Sequence, residues 1–151
     1  MEILAAKLKA QAYCAYQERS QQEVRDKLYS WGLHPTDVEE VIAELIGANF
    51  LNEERFALAY ASGRFRMKGW GRYRIKQGLI QKSVSQPLIK MALSSLDERE
   101  YRDKLLGILQ AKGRLEKEKQ PQKRKNKLYQ YALSRGYESE LIVELLSDNE
   151  L

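Results

Sequence analysis

Apolar residues recur every three or four positions along nearly the whole chain, and glycine, proline and capping residues interrupt the recurrence at regular intervals. Leu4, Leu8, Ala12 and Ala15, with Tyr16 beside them, predict a first amphipathic helix over residues 3–18 with that stripe inward. Ser20 and Glu23 have the spacing of a capping box, and Val24, Leu28 and Trp31 line the helix that follows until Gly32 ends it. Thr36 and Glu39 repeat the box before a third helix lined by Val38, Val41, Ile42 and Leu45. Three helices joined by tight connections make a small bundle.

The plan then repeats. Asn52 caps a helix carrying Phe56, Ala59, Tyr60 and Gly63, which runs until Gly69 and Gly71 break the pattern. Gly71 opens a helix with Ile75 and Leu79 inward, so its arginines are expected to project to solvent. Ser85 and Pro87 suit the start of the next helix, whose apolar face is Leu88, Ile89, Ala92, Leu93 and Leu96. Asp97 with Glu100 begins the third unit, and Tyr101, Leu105, Ile108 and Leu109 continue at helical spacing to Gly113. The charge run from Arg114 to Lys127, which contains Pro121, predicts a mobile loop entering a helix. Leu128, Tyr131 and Ala132 define that helix, Gly136 ends it, and Leu141, Ile142, Leu145 and Leu146 form the last.

These marks are an internal repeat. Val24, Leu28, Gly32, Leu33, Val38 and Ile42 map onto Ile75, Leu79, Ser83, Val84, Ile89 and Leu93, and the last unit follows through Leu128, Gly136 and Leu146. The predicted fold is therefore all-α, with three tandem three-helix repeats over residues 1–51, 52–96 and 97–151, the last carrying a basic loop at 112–127. Such an array is expected to be elongated, curved and solenoid-like, exposing a long surface rather than a deep pocket.

Charge changes the picture. The net charge of +5 hides a sorting: residues 1–54 hold five basic and ten acidic residues, 55–135 hold 21 and six, and 136–151 hold none and five. No acidic residue occurs between Glu54 and Asp97, and Arg64, Arg66, Lys68, Arg72, Arg74, Lys76 and Lys82 fall inside that window with Phe65, Trp70 and Tyr73 interleaved. A basic, aromatic, acid-free stretch suits a polyanion groove or an acidic protein surface. Lys123, Arg124, Lys125 and Lys127 form a second basic patch, whose plainer reading is a solvated helix face or loop.

The residues at this point resemble a known family, the bacterial RecX regulatory proteins. The resemblance rests on the tandem three-helix repeats, on the junction Phe50-Leu51-Asn52-Glu53-Glu54-Arg55-Phe56-Ala57, and on the signature Arg64, Lys68-Gly69, Gly71, Arg74-Ile75, Leu79, Lys82. Ser83 stands where the family has glycine, and Gly78 is an unusual residue inside a helix. What the resemblance implies is a modulator of the RecA recombinase. Such a protein binds along the groove of the RecA filament on single-stranded DNA, inhibits its ATPase, strand exchange and co-protease activity, and binds DNA weakly without sequence preference. On that reading Arg64, Arg66, Lys68, Gly69, Trp70, Gly71, Arg72, Tyr73, Arg74, Lys76 and Lys82, with the 123–127 patch, are the contact residues. The two glycines would let the backbone approach closely.

Rival readings are a sequence-nonspecific nucleic-acid-binding helical module, and a scaffold whose charges serve solubility. Trp31 lies on an apolar stripe and reads as core, whereas Trp70 is either a contact residue or a turn anchor. Chemistry has few candidates. There is one His and one Cys, no metal-ligand spacing and no GKS or GKT ending after the Gly69-Trp70-Gly71 turn, so neither an enzyme nor a bound cofactor or metal is expected. Cys14 has no disulfide partner, no apolar signal segment opens the chain, and no run reaches the roughly 18 to 20 apolar residues of a membrane span. A cytoplasmic, soluble monomer is the expectation.

Overall fold

The computed structural model describes residues 1–151 and is all-helical. The helices are α1 (Ile3–Tyr16), α2 (Gln21–Ser30), α3 (Pro35–Gly47), α4 (Glu53–Lys68), α5 (Arg72–Gln81), α6 (Gln86–Ser94), α7 (Glu98–Leu115), α8 (Pro121–Ser134) and α9 (Ser139–Asp148). They divide into two compact units, one of residues 1–59 with 79–92 and the other of 60–78 with 93–151.

The repeat is written into the turns. Each second helix of a repeat ends in a left-handed residue, Gly32 at φ +83°, Ser83 at +60° and Gly136 at +99°. The next amide in each case reaches back five residues, Leu33 to Leu28 at 3.2 Å, Val84 to Leu79 at 3.1 Å and Tyr137 to Ala132 at 3.3 Å. This is the Schellman closure, which satisfies a carbonyl the helix end would otherwise orphan. Ser83 adopts it despite its side chain, so the turn geometry is imposed by the packing on either side.

In the first unit Val24, Leu28, Val38, Val41, Ile42 and Leu45 form the core with Leu33 and Leu51. Full burial of each such side chain contributes about 1.5 to 3 kcal/mol. α2 starts with the expected capping box, Ser20 accepting from the Glu23 amide and the Glu23 carboxylate accepting from the Ser20 amide. Helix α3 corrects the expected Thr36 and Glu39 box: Pro35 occupies its first turn and the His34 imidazole accepts from the Thr36 amide. The carboxylate of Glu39 pairs instead with Arg25 at 2.8 Å.

Helix α1 is turned the other way from its predicted stripe. Ala6, Ala10 and Cys14 face the core, while Leu4 and Leu8 are each 57% exposed and Tyr16 is 82% exposed. The large residues of α2 and α3 already fill the interior, so the small side of α1 lets it seat closely. Trp31 packs partly buried against this core, with the Lys9 ammonium 4.8 Å from its ring. The start of α4 joins this unit, where the Asn52 side chain accepts from the Arg55 amide at 2.8 Å as predicted.

In the second unit three buried rings run through the interior, Phe65 stacked on Tyr101 at 5.7 Å and Tyr101 against Tyr137 at 5.1 Å. Along α4, Phe56 and Ala57 are buried in the first unit and Ala61 and Phe65 in the second, so Phe56 faces inward as predicted while Ala59 is exposed and the buried stripe is rotated from the rest of the predicted face. Asp97 caps α7 through the Glu100 amide. The expected loop at 112–127 is helical at both ends. α7 continues through Gly113 to Leu115, α8 begins at Pro121, and only 116–120 lie between. Proline at the first position presets the helical φ, and the Arg124 guanidinium donates to the Gly113 and Glu116 carbonyls. Those anchors offset the cost of basic residues at a helix N-terminus.

Candidate contact surface

The acid-free stretch is built as a helix end, a turn and a helix start, all in the second unit as far as Gly78. Gly69, at φ +67°, closes α4. Around the turn, rings and guanidinium groups form a column: Arg64 lies 4.6 Å from the Tyr60 ring and 5.4 Å from Trp70, and Arg74 lies 4.6 Å from Trp70 on the other helix. The buried Nε of Arg64 has no hydrogen-bond partner, so the rings are what hold its guanidinium. Trp70 is thus both a turn anchor and a partly exposed platform.

Gly71 is buried, and its close backbone approach is to the chain's own α8–α9 turn. A β-carbon there would collide with the Gly136 carbonyl group and lie 2.5 Å from the Tyr137 nitrogen. The Gly71 and Tyr73 amides donate to the Arg135 and Gly136 carbonyls, each at 2.9 Å. Gly78 also has a local reason, since a β-carbon would lie 2.8 Å from Cζ of the Tyr60 ring.

Arg72 corrects the expectation that the α5 arginines all reach solvent. Its side chain is 19% exposed, donates to Glu138 at 2.8 Å and Glu98 at 2.7 Å, and lies 3.9 Å from the Tyr101 ring. The Tyr101 hydroxyl accepts from the Arg72 amide at 2.9 Å and donates to Glu138. Burial first, and then that bond to Glu138, push the Tyr101 phenol well above its ordinary pKa, so it is a neutral donor. Burial opposes the charge on Arg72, but the hydrogen bond and charge of Glu138 outweigh it.

Other predicted residues are paired more loosely. Arg66 meets Glu100 at 3.0 Å, Lys127 meets Glu116 at 3.5 Å, and Lys82, in the first unit, meets Glu23 at 3.7 Å. Arg124 is committed to backbone carbonyls. This leaves Arg64, Lys68, Arg74 and Lys76 without a carboxylate partner, Arg64 and Arg74 stacked on Trp70, with Tyr73 58% exposed, and Lys123 and Lys125 exposed on α8. The second unit holds 18 basic and 11 acidic residues, the first eight and ten. Residues that sequence reasoning missed are Tyr101, Arg135, Tyr137 and Glu138. Of these only Tyr101 carried a signal, its place on the apolar stripe with Leu105, Ile108 and Leu109, and that marked a core ring rather than a polar partner. No group of three or more His, Cys, Asp or Glu residues is placed to hold a metal, and no helix is long and apolar enough to cross a membrane.

Fold and surface together define an all-α protein of three tandem three-helix domains with a basic middle. All three domains match one family in order: RecX first three-helix domain over residues 6–45, second over 52–93 and third over 98–146. The chain belongs to the RecX family of regulatory proteins. It is 33% identical to Regulatory protein RecX of Clostridium perfringens (strain 13 / Type A) over 137 residues, 87% of this chain and 64% of that protein. It is 29% identical to Regulatory protein RecX of Haemophilus influenzae (strain PittGG), over 90% of this chain and 89% of that one. The chain spans just under two thirds of the length of the clostridial relatives. The crystal structure of RecX from Lactobacillus salivarius has the same fold, with a TM-score of 0.88 at 23% identity over 97% of this chain and 95% of that one. A second RecX crystal structure superposes with a TM-score of 0.84 at 20% identity, over 97% of this chain and 74% of that one.

Proposed function

We propose that this protein binds the RecA filament on single-stranded DNA in the cytoplasm and lowers RecA ATP hydrolysis, strand exchange and co-protease activity. The observation that supports this best is the RecX match in all three domains, joined to a cluster of cations that the fold does not consume. Lys68, Arg74 and Lys76, with Trp70 and Tyr73 beside them, offer charge-assisted contacts to an acidic surface or a phosphate backbone. Lys123 and Lys125 supply a second patch on the third domain. Several weak patches on one chain add through effective concentration when the target is itself repetitive.

A second reading, direct sequence-nonspecific binding of nucleic acid, draws on the Trp70 column, since aromatic and guanidinium planes stack on bases. One titration separates the two. RecA ATP hydrolysis on single-stranded DNA is followed as the protein is added, beside a Lys68→Ala, Arg74→Ala, Lys76→Ala variant. Suppression by the wild type that weakens at least tenfold in the folded variant supports filament binding. Unaltered hydrolysis, together with steeply salt-dependent binding to bare DNA, replaces it with the second reading.

A further inference from the structure

We infer that the third three-helix domain positions the basic signature of the second. The evidence is where the backbone groups of that signature find their partners. A helix start leaves its first amides free and a helix end leaves its last carbonyls free. α2 meets this need locally, with its own Ser20 and Glu23. α5 is preceded by Gly71, which has no capping side chain, and no acidic residue lies in its first turn. Its Gly71, Arg72 and Tyr73 amides donate to Arg135 O, Tyr101 Oη and Gly136 O, each at 2.9 Å.

The end of α4 is treated the same way. Lys104 Nζ donates to Arg66 O at 3.1 Å, Tyr137 Oη donates to Gly69 O at 3.0 Å, and the Arg135 guanidinium donates to Lys68 O. Every one of these six partners belongs to the third domain. Arg72, Arg74 and Lys76 also load positive charge onto the positive end of the α5 dipole, and Glu98 and Glu138 bring the compensating carboxylates. Tyr101 and Glu138 are therefore positioning residues. Tyr101 is fully buried and touches no filament or nucleic acid itself.

The functional half of this inference rests on the proposed filament contact, and its structural half does not. The test uses the full chain as wild type, Tyr101→Phe and Glu138→Gln, with amide hydrogen exchange resolved by residue and filament affinity measured in parallel. Tyr101→Phe removes the acceptor of the Arg72 amide but leaves Gly136 O, the acceptor of Tyr73, in place. The expected result is exchange about tenfold faster at Arg72 and also at Tyr73, with α3 amides from Val41 to Leu45 unchanged. Glu138→Gln is expected to move the same two amides in the same direction. Filament affinity falls in both variants. Exchange at Tyr73 equal to wild type in both variants overturns the inference, as does an equal acceleration throughout α7–α9, which makes Tyr101 a core residue only. If wild type shows no filament affinity at all, the proposed function fails while the exchange data still decide the positioning role.

Discussion

Gly71 and Gly136 lie so close that a β-carbon on either runs into backbone on the other side of the contact. One on Gly71 meets the Gly136 carbonyl, and one on Gly136 lies 2.6 Å from the Arg74 nitrogen and 3.1 Å from the Gly71 oxygen. Backbone cannot swing aside as a side-chain tip does. Gly71→Ala is expected to destabilise the protein by about 3 kcal/mol, read as a lower urea midpoint. Gly136→Ala costs at least as much, because its φ of +99° adds left-handed strain.

Arg72 and Arg74 stand two residues apart in the same signature and should behave oppositely. Arg72→Ala leaves Glu138, 25% exposed, without its cation and is expected to cost about 2 kcal/mol, below the cost of breaking a fully buried pair. Arg74→Ala loses only its stacking on Trp70 and costs under about 1 kcal/mol. If the proposed filament contact holds, filament affinity at matched folded fraction falls in Arg74→Ala. Equal stability losses in the two variants would refute this division.

The orientation of α1 is testable with two substitutions about 3 Å of helix rise apart. Ala10→Leu forces volume into a closed interface and is expected to cost about 2 kcal/mol, since Ala10 is 1% exposed. Leu8→Ala, at a position 57% exposed, should change stability by less than about 0.5 kcal/mol. Thermal melts of both variants check the pair. A reversed order would restore the predicted Leu4 and Leu8 face.

Glu53 gives a pH dependence of known sign. Its carboxylate accepts from the Gln21 amide at 2.6 Å, and burial raises its pKa above the usual 4.5 against the opposing effect of that bond, with Glu23 nearby raising it further. The folded state therefore binds this proton more tightly than the unfolded chain does. Stability contributed by Glu53 rises as pH falls from neutral towards about 4.5. Urea denaturation of wild type and Glu53→Gln at pH 7 and pH 5 should show wild type gaining relative to the variant at the lower pH. A constant difference between them would mean that Glu53 titrates alike in both states.

Local signals carried much of the fold. Ser20 with Glu23, Asn52 and Asp97 cap the helices they were expected to cap, because a short polar side chain and an amide two or three residues on need nothing distant to meet. The repeat register through Gly32, Ser83 and Gly136 was legible for the same reason. Thr36 with Glu39 misled because a neighbouring proline moved the helix start and a distant arginine took the carboxylate. The basic run before Leu128 read as a loop because charge density argues against a helix, and what overturned it, Arg124 bonded to carbonyls at the end of α7, spans more than one element.

The candidate contact surface was legible as a charge pattern and not as a set of residues. Seven basic residues between Arg64 and Lys82 look equivalent along the chain, yet Arg72 is held inside a network while Lys68 and Arg74 meet no carboxylate. The sequence by itself determined the nine helices, their three-fold repetition, the sorting of charge into the middle of the chain and the family resemblance, because periodicity, capping and composition act within a few residues. Only the tertiary structure decided which side of α1 and α4 is buried, whose backbone the signature glycines meet, and which cations remain free. Those outcomes depend on volume already filled by other helices and on carboxylates and carbonyls brought from 26 to 68 positions away.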